Sequence, residues 1–355
     1  MLTKLTIRNF KRFGSIAIDL ANPVVFIGPN NSGKTSALQS LALWEVGIKK
    51  WNEKHGNKKY PEKRPGVTIN RRDLVSVPIP NANLLWRNLH TRDVQRIDGK
   101  QQTRNIRIDI IVEGITNNHS WKCGLEFDYA NEESLYCRPI RISHENDTER
   151  IPVPDEAAHI QIAFLPPMSG LAANEVRLDQ GAINVRVGEG RTAEVLRNLC
   201  YKIFEANQPQ WEKLKAQIQL LFGSELNDPE YIPERGEIEL KYVEKGVQFD
   251  LSSTGRGLQQ TLLLLAYMYA NPGAVLLLDE PDAHLEILRQ RQIYQILIDV
   301  ARENNNQVIA ASHSEVLLNE AADKDLVIAF VGKPHALTDR GSQVLKSLKE
   351  IGFEH

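Results

Sequence analysis

Two carboxylates stand directly after an apolar run, in Ala274-Val275-Leu276-Leu277-Leu278-Asp279-Glu280. An aspartate followed by a glutamate at the end of a buried strand suits phosphoryl chemistry. Asp279 is placed to hold Mg²⁺, and Glu280 to orient a water in line with a γ-phosphate and take its proton. A matching phosphate holder lies far earlier in the chain. Gly28-Pro29-Asn30-Asn31-Ser32-Gly33-Lys34-Thr35 has the form G-x-x-x-x-G-K-T and is followed by Ser36. Its backbone N–H groups cradle phosphate oxygens, Lys34 reaches the β- and γ-phosphates, and the Thr35 hydroxyl is a Mg²⁺ ligand. A third apolar run, Gln307-Val308-Ile309-Ala310-Ala311-Ser312-His313, ends in a histidine suited to a polarising contact with the γ-phosphate. A fourth candidate is the small-residue stretch Leu251-Ser252-Ser253-Thr254-Gly255-Arg256-Gly257. There Ser253 and Gly255 precede an apolar helix whose N-terminus favours anions. Together these residues point to a nucleoside triphosphate as ligand with Mg²⁺.

The elements that must position them can be read from the same pattern. Val24-Val25-Phe26-Ile27 is a buried strand leading into the glycine loop, and a helix follows the loop to about Ile48. Residues 258–269 read as an apolar helix and 275–279 as a buried strand. Asn271-Pro272-Gly273 separates the two, so neither half of this longest apolar stretch is long enough to span a bilayer. Ligands of open α/β sheets bind at the carboxyl ends of the strands, which is where Asp279, Glu280 and His313 fall.

The chain has 355 residues, 42% hydrophobic and 25% charged, with a net charge of -2 at pH 7. That is the composition of a globular protein large enough for one big domain or two. It gives no global attraction to nucleic acid or membrane, so any basic site must be local. Cys123, Cys137 and Cys200 show no metal spacing. A Cys123–Cys137 disulfide is conceivable, but the expectation is buried thiols in a cytoplasmic protein. The N-terminus is not a signal peptide, and no membrane association is expected.

Residues 2–10 and 16–20 alternate as two antiparallel strands. Residues 49–72 are rich in cations: Lys49, Lys50, Lys54, Lys58, Lys59, Lys63, Arg64, Arg71 and Arg72, with Trp51 and Tyr60 among them. This is either a DNA contact or a solvated surface excursion, since Glu45, Glu53 and Glu62 dilute the charge. It opens a basic insertion over 49–103. Residues 104–113, 120–129 and 135–142 read as strands of an antiparallel β subdomain over 104–142, and 160–165 as one more strand. A helical subdomain over 192–222 breaks near Asn207-Gln208-Pro209, with Val195, Leu196, Leu199, Ile203 and Phe204 on one stripe. Residues 237–251 form a hairpin about Lys245-Gly246. The core of motifs spans 251–331, with strands at 307–312 and 325–331. A helix is expected at 342–351.

In this order the motifs resemble the ABC-type P-loop ATPases, in the soluble branch of the SMC and RecF-like proteins. In those terms 28–35 is the Walker A loop, 253–259 the signature, 275–280 the Walker B strand, 282–286 the D-loop and His313 the switch histidine. Leu5-Thr6-Ile7-Arg8-Asn9-Phe10-Lys11 also looks like that branch. Glu280-Pro281-Asp282-Ala283-His284-Leu285 resembles the OLD (overcoming lysogenisation defect) family and its AAA-type relatives. So does Leu165-Pro166-Pro167-Met168-Ser169-Gly170 before the turn at Gly188-Glu189-Gly190. The signature departs from the common pattern, with Arg256 where many members have Gly-Gly-Gln. No Q-loop glutamine is assigned, and no heptads run between 49 and 251.

The resemblance implies a single ATPase domain over 1–355. Its fold is α/β: a mixed central sheet, an antiparallel β subdomain and a helical subdomain. It also implies head-to-tail closure of a homodimer, or a higher oligomer, on ATP, with output through a nuclease or other effector in DNA processing or anti-phage defence. Asp323, Asp325, Asp339, Glu350 and Glu354 are too scattered to form a nuclease site. Cutting is therefore expected from a domain joined beyond His355 or from a separate protein. A RecF-like DNA-repair ATPase without nuclease output is the alternative. An ABC transporter subunit fits less well, because both the opening strand and the altered signature point to the soluble branch.

Overall fold

The structure is a computed structural model and describes residues 1–55, 66–97, 100–141, 150–168, 171–322 and 324–337, with backbone alone at 95–97 and 100–102. The expected helix at 342–351 lies outside the described residues, as do Ser169, Gly170, Asp323, Asp339, Glu350 and Glu354. The chain opens with β1 (Leu2–Phe10), β2 (Phe13–Asp19), β3 (Val24–Ile27) and α1 (Lys34–His55). Next come β4 (Val67–Asn70), β5 (Arg92–Ile97), β6 (Lys100–Asn105), β7 (Ile108–Thr116), β8 (His119–Asn131) and β9 (Ser134–Pro139). After α2 (Asp155–Ala158) and β10 (Ile162–Leu165) the chain turns helical, with α3 (Gln180–Gly188), α4 (Leu196–Ala206) and α5 (Gln208–Phe222). Short strands follow: β11 (Glu225–Leu226), β12 (Glu230–Ile232), β13 (Glu237–Glu239), β14 (Lys241–Glu244) and β15 (Val247–Asp250). The last stretch is α6 (Arg256–Ala270), β16 (Val275–Asp279), α7 (Ile287–Glu303), β17 (Gln307–Ser312), α8 (Glu315–Ala322), β18 (Leu326–Ala329) and β19 (His335–Ala336).

Two compact units emerge: residues 1–22, 28–162 and 328 onwards form the first, and 23–27 with 163–327 the second. In the first, a six-stranded antiparallel sheet runs β2-β1-β7-β8-β9-β4. The expected β subdomain is therefore only part of a larger sheet, because β1 pairs with β7 across some hundred residues of sequence, Leu5 opposite Val112 and Ile7 opposite Ile110. The inward-facing Leu5, Ile7, Ile110, Val112, Leu125 and Phe127 are fully buried.

Helix α1 packs against this sheet. Trp44 Nε1 donates to the Cys123 carbonyl at 3.2 Å. At Gly47 the backbone comes so near that an added Cβ would lie 2.7 Å from Leu125 Cδ1 and 2.9 Å from Cys137 Sγ. The same packing carries α1 past the expected end near Ile48, since Ile48, Trp51 and His55 remain buried. All three cysteines are buried free thiols.

In the second unit, β16, β17 and β3 run parallel as neighbours, with β10 beside β16. Every residue of β16, β17 and β3 is buried, which is why these strands read as continuous apolar runs rather than alternating ones. Helix α6 is buried without a break from Leu258 to Tyr269. It anchors a core with Leu199 and Ile203 of α4, Trp211 and Leu214 of α5, and Leu297 of α7. Asn207 caps α5, its side chain accepting from Gln210 N, so the helix break falls where the proline predicts it. The hairpin β14–β15 turns through positive φ at Lys245 and Gly246. Helices α3, α7 and α8 and the β5–β6 ribbon have no counterpart in the sequence expectations. No described helix is long and apolar enough to cross a membrane.

The Gly47 contact is testable. Gly47→Val should lower the stability of the first unit by about 1–3 kcal/mol through overpacking, although replacing a helix-interior glycine otherwise gains about 0.5–1 kcal/mol. Urea denaturation followed by tryptophan fluorescence reads it; an unchanged or raised midpoint would show that α1 stands off β8.

Candidate functional site

The phosphate loop belongs to the first unit, and its shape depends on both glycines. A Cβ on Gly28 would sit 3.0 Å from Phe330 Cβ, from Phe330 O and from Ser32 Oγ. Gly33 has φ +109°, and a Cβ there would lie 2.7 Å from Arg12 Cδ and from Phe13 Cζ. Asn31 also takes a positive φ, and Ser32 N closes the turn onto Pro29 O at 3.2 Å. Ala37 N bonds Gly33 O at 2.9 Å, so α1 begins with Lys34 and Thr35 in its first turn. Lys34 is buried, and its Nζ donates to the carbonyls of Gly28 at 2.7 Å and Pro29 at 3.0 Å. The loop therefore wraps an ammonium. Ser32 Oγ is buried without a hydrogen-bond partner among the described residues. An orphaned hydroxyl beside a wrapped cation and a helix N-terminus suits a polyphosphate.

The second unit carries the acid pair and the histidine. Asp279 ends β16 opposite Ala311 of β17 and is buried. Glu280 follows with φ +51°, held by its N–H on Ala311 O at 2.8 Å. That left-handed turn brings Glu280 Oε1 within 3.3 Å of His313 Nδ1, just past the end of β17. Both side chains keep solvent access, 32% for Glu280 and 51% for His313. The structure thus brings together two of the expected catalytic residues.

Behind them Asp282 is buried. Burial pushes its carboxyl above the usual range, against a hydrogen bond from Ser312 that pulls it back. Ser314 fixes the turn after His313: its N–H bonds Ser312 Oγ at 2.9 Å, and its hydroxyl bonds Gln290 of α7 at 2.7 Å.

The signature stretch lies at the start of α6. Ser253 and Gly255 are exposed, and among the described residues neither bonds Glu280 or His313. Gln259 is buried and donates to Thr254 O at 3.1 Å, stiffening the loop from behind. Arg197, only 1% exposed, bonds Asp250 Oδ1 at 2.9 Å and Ala172 O at 3.0 Å. Asp250 in turn accepts from Ser252 N and Oγ. Sequence reasoning missed Arg197 and Gln290. Only Asp250 had a legible signal, an aspartate ahead of a serine-rich turn.

Of the five described cations in the stretch 49–72, three are held in ion pairs. Lys49 pairs with Glu45 at 2.9 Å, Lys50 with Asp73 at 3.3 Å, and Arg71 with Glu133 at 3.0 Å. Trp51 is buried against His55 and offers no face for a base, which corrects that expectation for Trp51. Lys54 and Arg72 are exposed with no ion pair among the described residues. Lys58, Lys59, Tyr60, Glu62, Lys63 and Arg64 lie outside the described residues.

Comparison with known proteins adds sequence and fold. Residues 1–110 match the family described as AAA ATPase domain, and 190–319 the family described as AAA domain, putative AbiEii toxin, Type IV TA system. No curated protein matches the sequence. Among solved structures, an SMC head bound to the C-winged helix domain of ScpA aligns at 14% identity and TM-score 0.51, covering 95% of this chain and 98% of that one. The SMC head domain of Thermotoga maritima aligns at 15% identity and TM-score 0.46, covering 95% and 99%. The recombination mediator RecF with ATP aligns at 11% and 0.46, also covering 95% and 99%. The chain therefore has an ABC-type P-loop ATPase fold, similar to that of an SMC head, and over 1–110 and 190–319 its sequence is similar to AAA-type ATPase domains.

Proposed function

We propose that the chain is a Mg²⁺-dependent ATPase using Lys34, Glu280 and His313 in catalysis. The observation that carries the reading is the Glu280–His313 contact at the ends of two parallel strands. It stands next to a buried aspartate, in a chain whose third strand continues directly into a lysine-holding glycine loop.

The residues divide the work as follows. Backbone N–H groups of 28–35, with Ser32 and Ser36, take phosphate oxygens, and Lys34 neutralises the β- and γ-phosphates. Thr35 and Asp279 are hard oxygen donors, few in number, as Mg²⁺ prefers when phosphates and waters complete its shell. The ion's contribution when bound is to offset charge on the phosphates being separated. Glu280 positions water and accepts its proton. His313 orients Glu280 and polarises the γ-phosphate. Asp282, Ser312 and Ser314 keep the two strand ends rigid.

Ser253 and Gly255 are exposed and make no bond to Glu280 among the described residues, so we assign them to the ATP site of a second copy, in a head-to-tail dimer. The output is an effector function in DNA processing or defence, of the OLD-like kind. The description of the family matched by 190–319, a putative toxin, supports an effector output.

Glu280→Gln should keep ATP binding and lose about 10²–10⁴-fold in hydrolysis, whereas Lys34→Ala should weaken binding itself. Steady-state phosphate release and fluorescent-nucleotide titration separate the two. Near wild-type turnover in Glu280→Gln would remove Glu280 from the role of base.

Assembly has its own test. Lys34→Ala and Ser253→Arg proteins, each inactive alone, should recover part of the ATPase activity when mixed, with ATP-dependent dimerisation visible by light scattering. Full activity in a strictly monomeric protein would overturn the dimer.

A further inference from the structure

The first unit contains a cavity of about 420 Å³ lined by four arginines together with three carboxylates, two asparagines and two isoleucines. Arg8 comes from β1, Arg104 from β6, Arg107 from the link to β7, and Arg141 from the segment after β9. Asp109 and Glu126 stand between them. These carboxylates are already committed. Glu126, 4% exposed, accepts from Arg138, from Arg150 at 3.0 Å and from Arg107 at 3.4 Å, while Asp109 faces Arg8 at 3.6 Å. Counting Asp93 and Asp128 as well, six guanidiniums meet four carboxylates. Arg107 Nε is buried without a hydrogen-bond partner among the described residues, although Asp128 lies 3.6 Å away. The excess is positive, and one of its donors is unsatisfied. A chain of net charge -2 concentrates cations here.

We propose that this cavity and the base of the β5–β6 ribbon bind the phosphate backbone of nucleic acid. Planar guanidiniums in a cluster match phosphate oxygens through paired N–H donors. The ribbon supplies the approach. Its strands pair Arg92 with Asn105, Asp93 with Arg104 and Val94 with Thr103, so Arg92 and Arg104 fall on opposite faces. Both are exposed and free of ion pairs among the described residues. The sequence places Arg96 and Lys100 further along the same ribbon.

Composition decides between nucleic acid and an acidic protein. The described side chains of the ribbon are Arg92, Asp93, Val94, Thr103, Arg104 and Asn105, with no aromatic and one aliphatic. Protein interfaces are built on buried aromatic and aliphatic anchors. Arginine, threonine and asparagine are the residues that bond phosphate and sugar, and a two-stranded ribbon has the width of a major groove. Neither Arg92 nor Arg104 belongs to the ATPase machinery, so this inference and the ATPase reading fail separately.

The test is fluorescence anisotropy of the full chain with a labelled duplex of about 30 base pairs, titrated between about 50 and 200 mM salt. The paired change Arg92→Gln and Arg104→Gln should weaken binding about tenfold or more at the low-salt end and reduce the log–log salt slope by about 2. ATPase activity and melting temperature should stay at wild-type values. Lys54→Gln with Arg72→Gln should leave the slope nearly unchanged. The proposal is overturned if the wild type does not bind duplex at low salt, or if the slope change follows Lys54 and Arg72 instead. It is equally overturned if poly-glutamate of matched charge displaces the duplex as well as unlabelled DNA does, which would make the face a site for acidic protein.

Discussion

Strands buried on both faces leave no place for a charged side chain until they end, and the second unit is arranged around that constraint. Strands β16, β17 and β3 are buried at every residue. An uncompensated charge inside such a layer costs several kcal/mol, roughly, even after relaxation. Polar chemistry is therefore expelled to the strand termini, and parallel register brings several termini to one edge. Asp279 pairs with Ala311, and the next residues on the two strands lead to Glu280 and His313. Ile27 of β3 pairs with Ser312, and the residue after Ile27 is Gly28. The acid, the histidine and the start of the phosphate loop thus each follow the last residue, or nearly the last, of a strand in one parallel set.

The same constraint explains how much the sequence revealed. A doubly buried strand is a continuous apolar run, and its first charged residue marks its end. Asp279, Glu280 and His313 were legible for that reason, as was Lys34 through the glycine spacing. The break before Pro209 and the turn at Lys245-Gly246 were legible because proline and positive φ act locally. Long-range pairing was not. Nothing near Leu5 announces Val112 as its partner, so the sheet of the first unit looked smaller than it is. The run of α1 beyond Ile48 was hidden by lysines, because Lys49 and Lys50 satisfy their charges with Glu45 and Asp73 while Trp51 turns inward. An aromatic between cations reads as a surface feature, and only packing shows otherwise.

Two of the buried charges fix a loop or chain segment. Arg197 spans from the Ala172 carbonyl to Asp250 and so sets where the signature stretch begins. Glu45 accepts the Ile162 N–H at 2.7 Å and pairs with Lys49, although burial pushes its carboxyl above the usual range. Removing one member of such a set leaves the other uncompensated, which costs more than the pair contributes to stability when intact. These residues therefore act as locators of backbone, and their energetic worth is measured by the disorder their loss would release.

The positive φ at Glu280 has a consequence for how this chain can evolve. A non-glycine residue in the left-handed region carries strain of about 1–2 kcal/mol, and here it falls on the residue assigned the proton transfer. Glycine at this position would relax the backbone and abolish the carboxylate in one step. Local stability and activity are thus opposed at a single codon: drift that favours the fold erodes the chemistry, and only selection for turnover keeps a carboxylate at the corner.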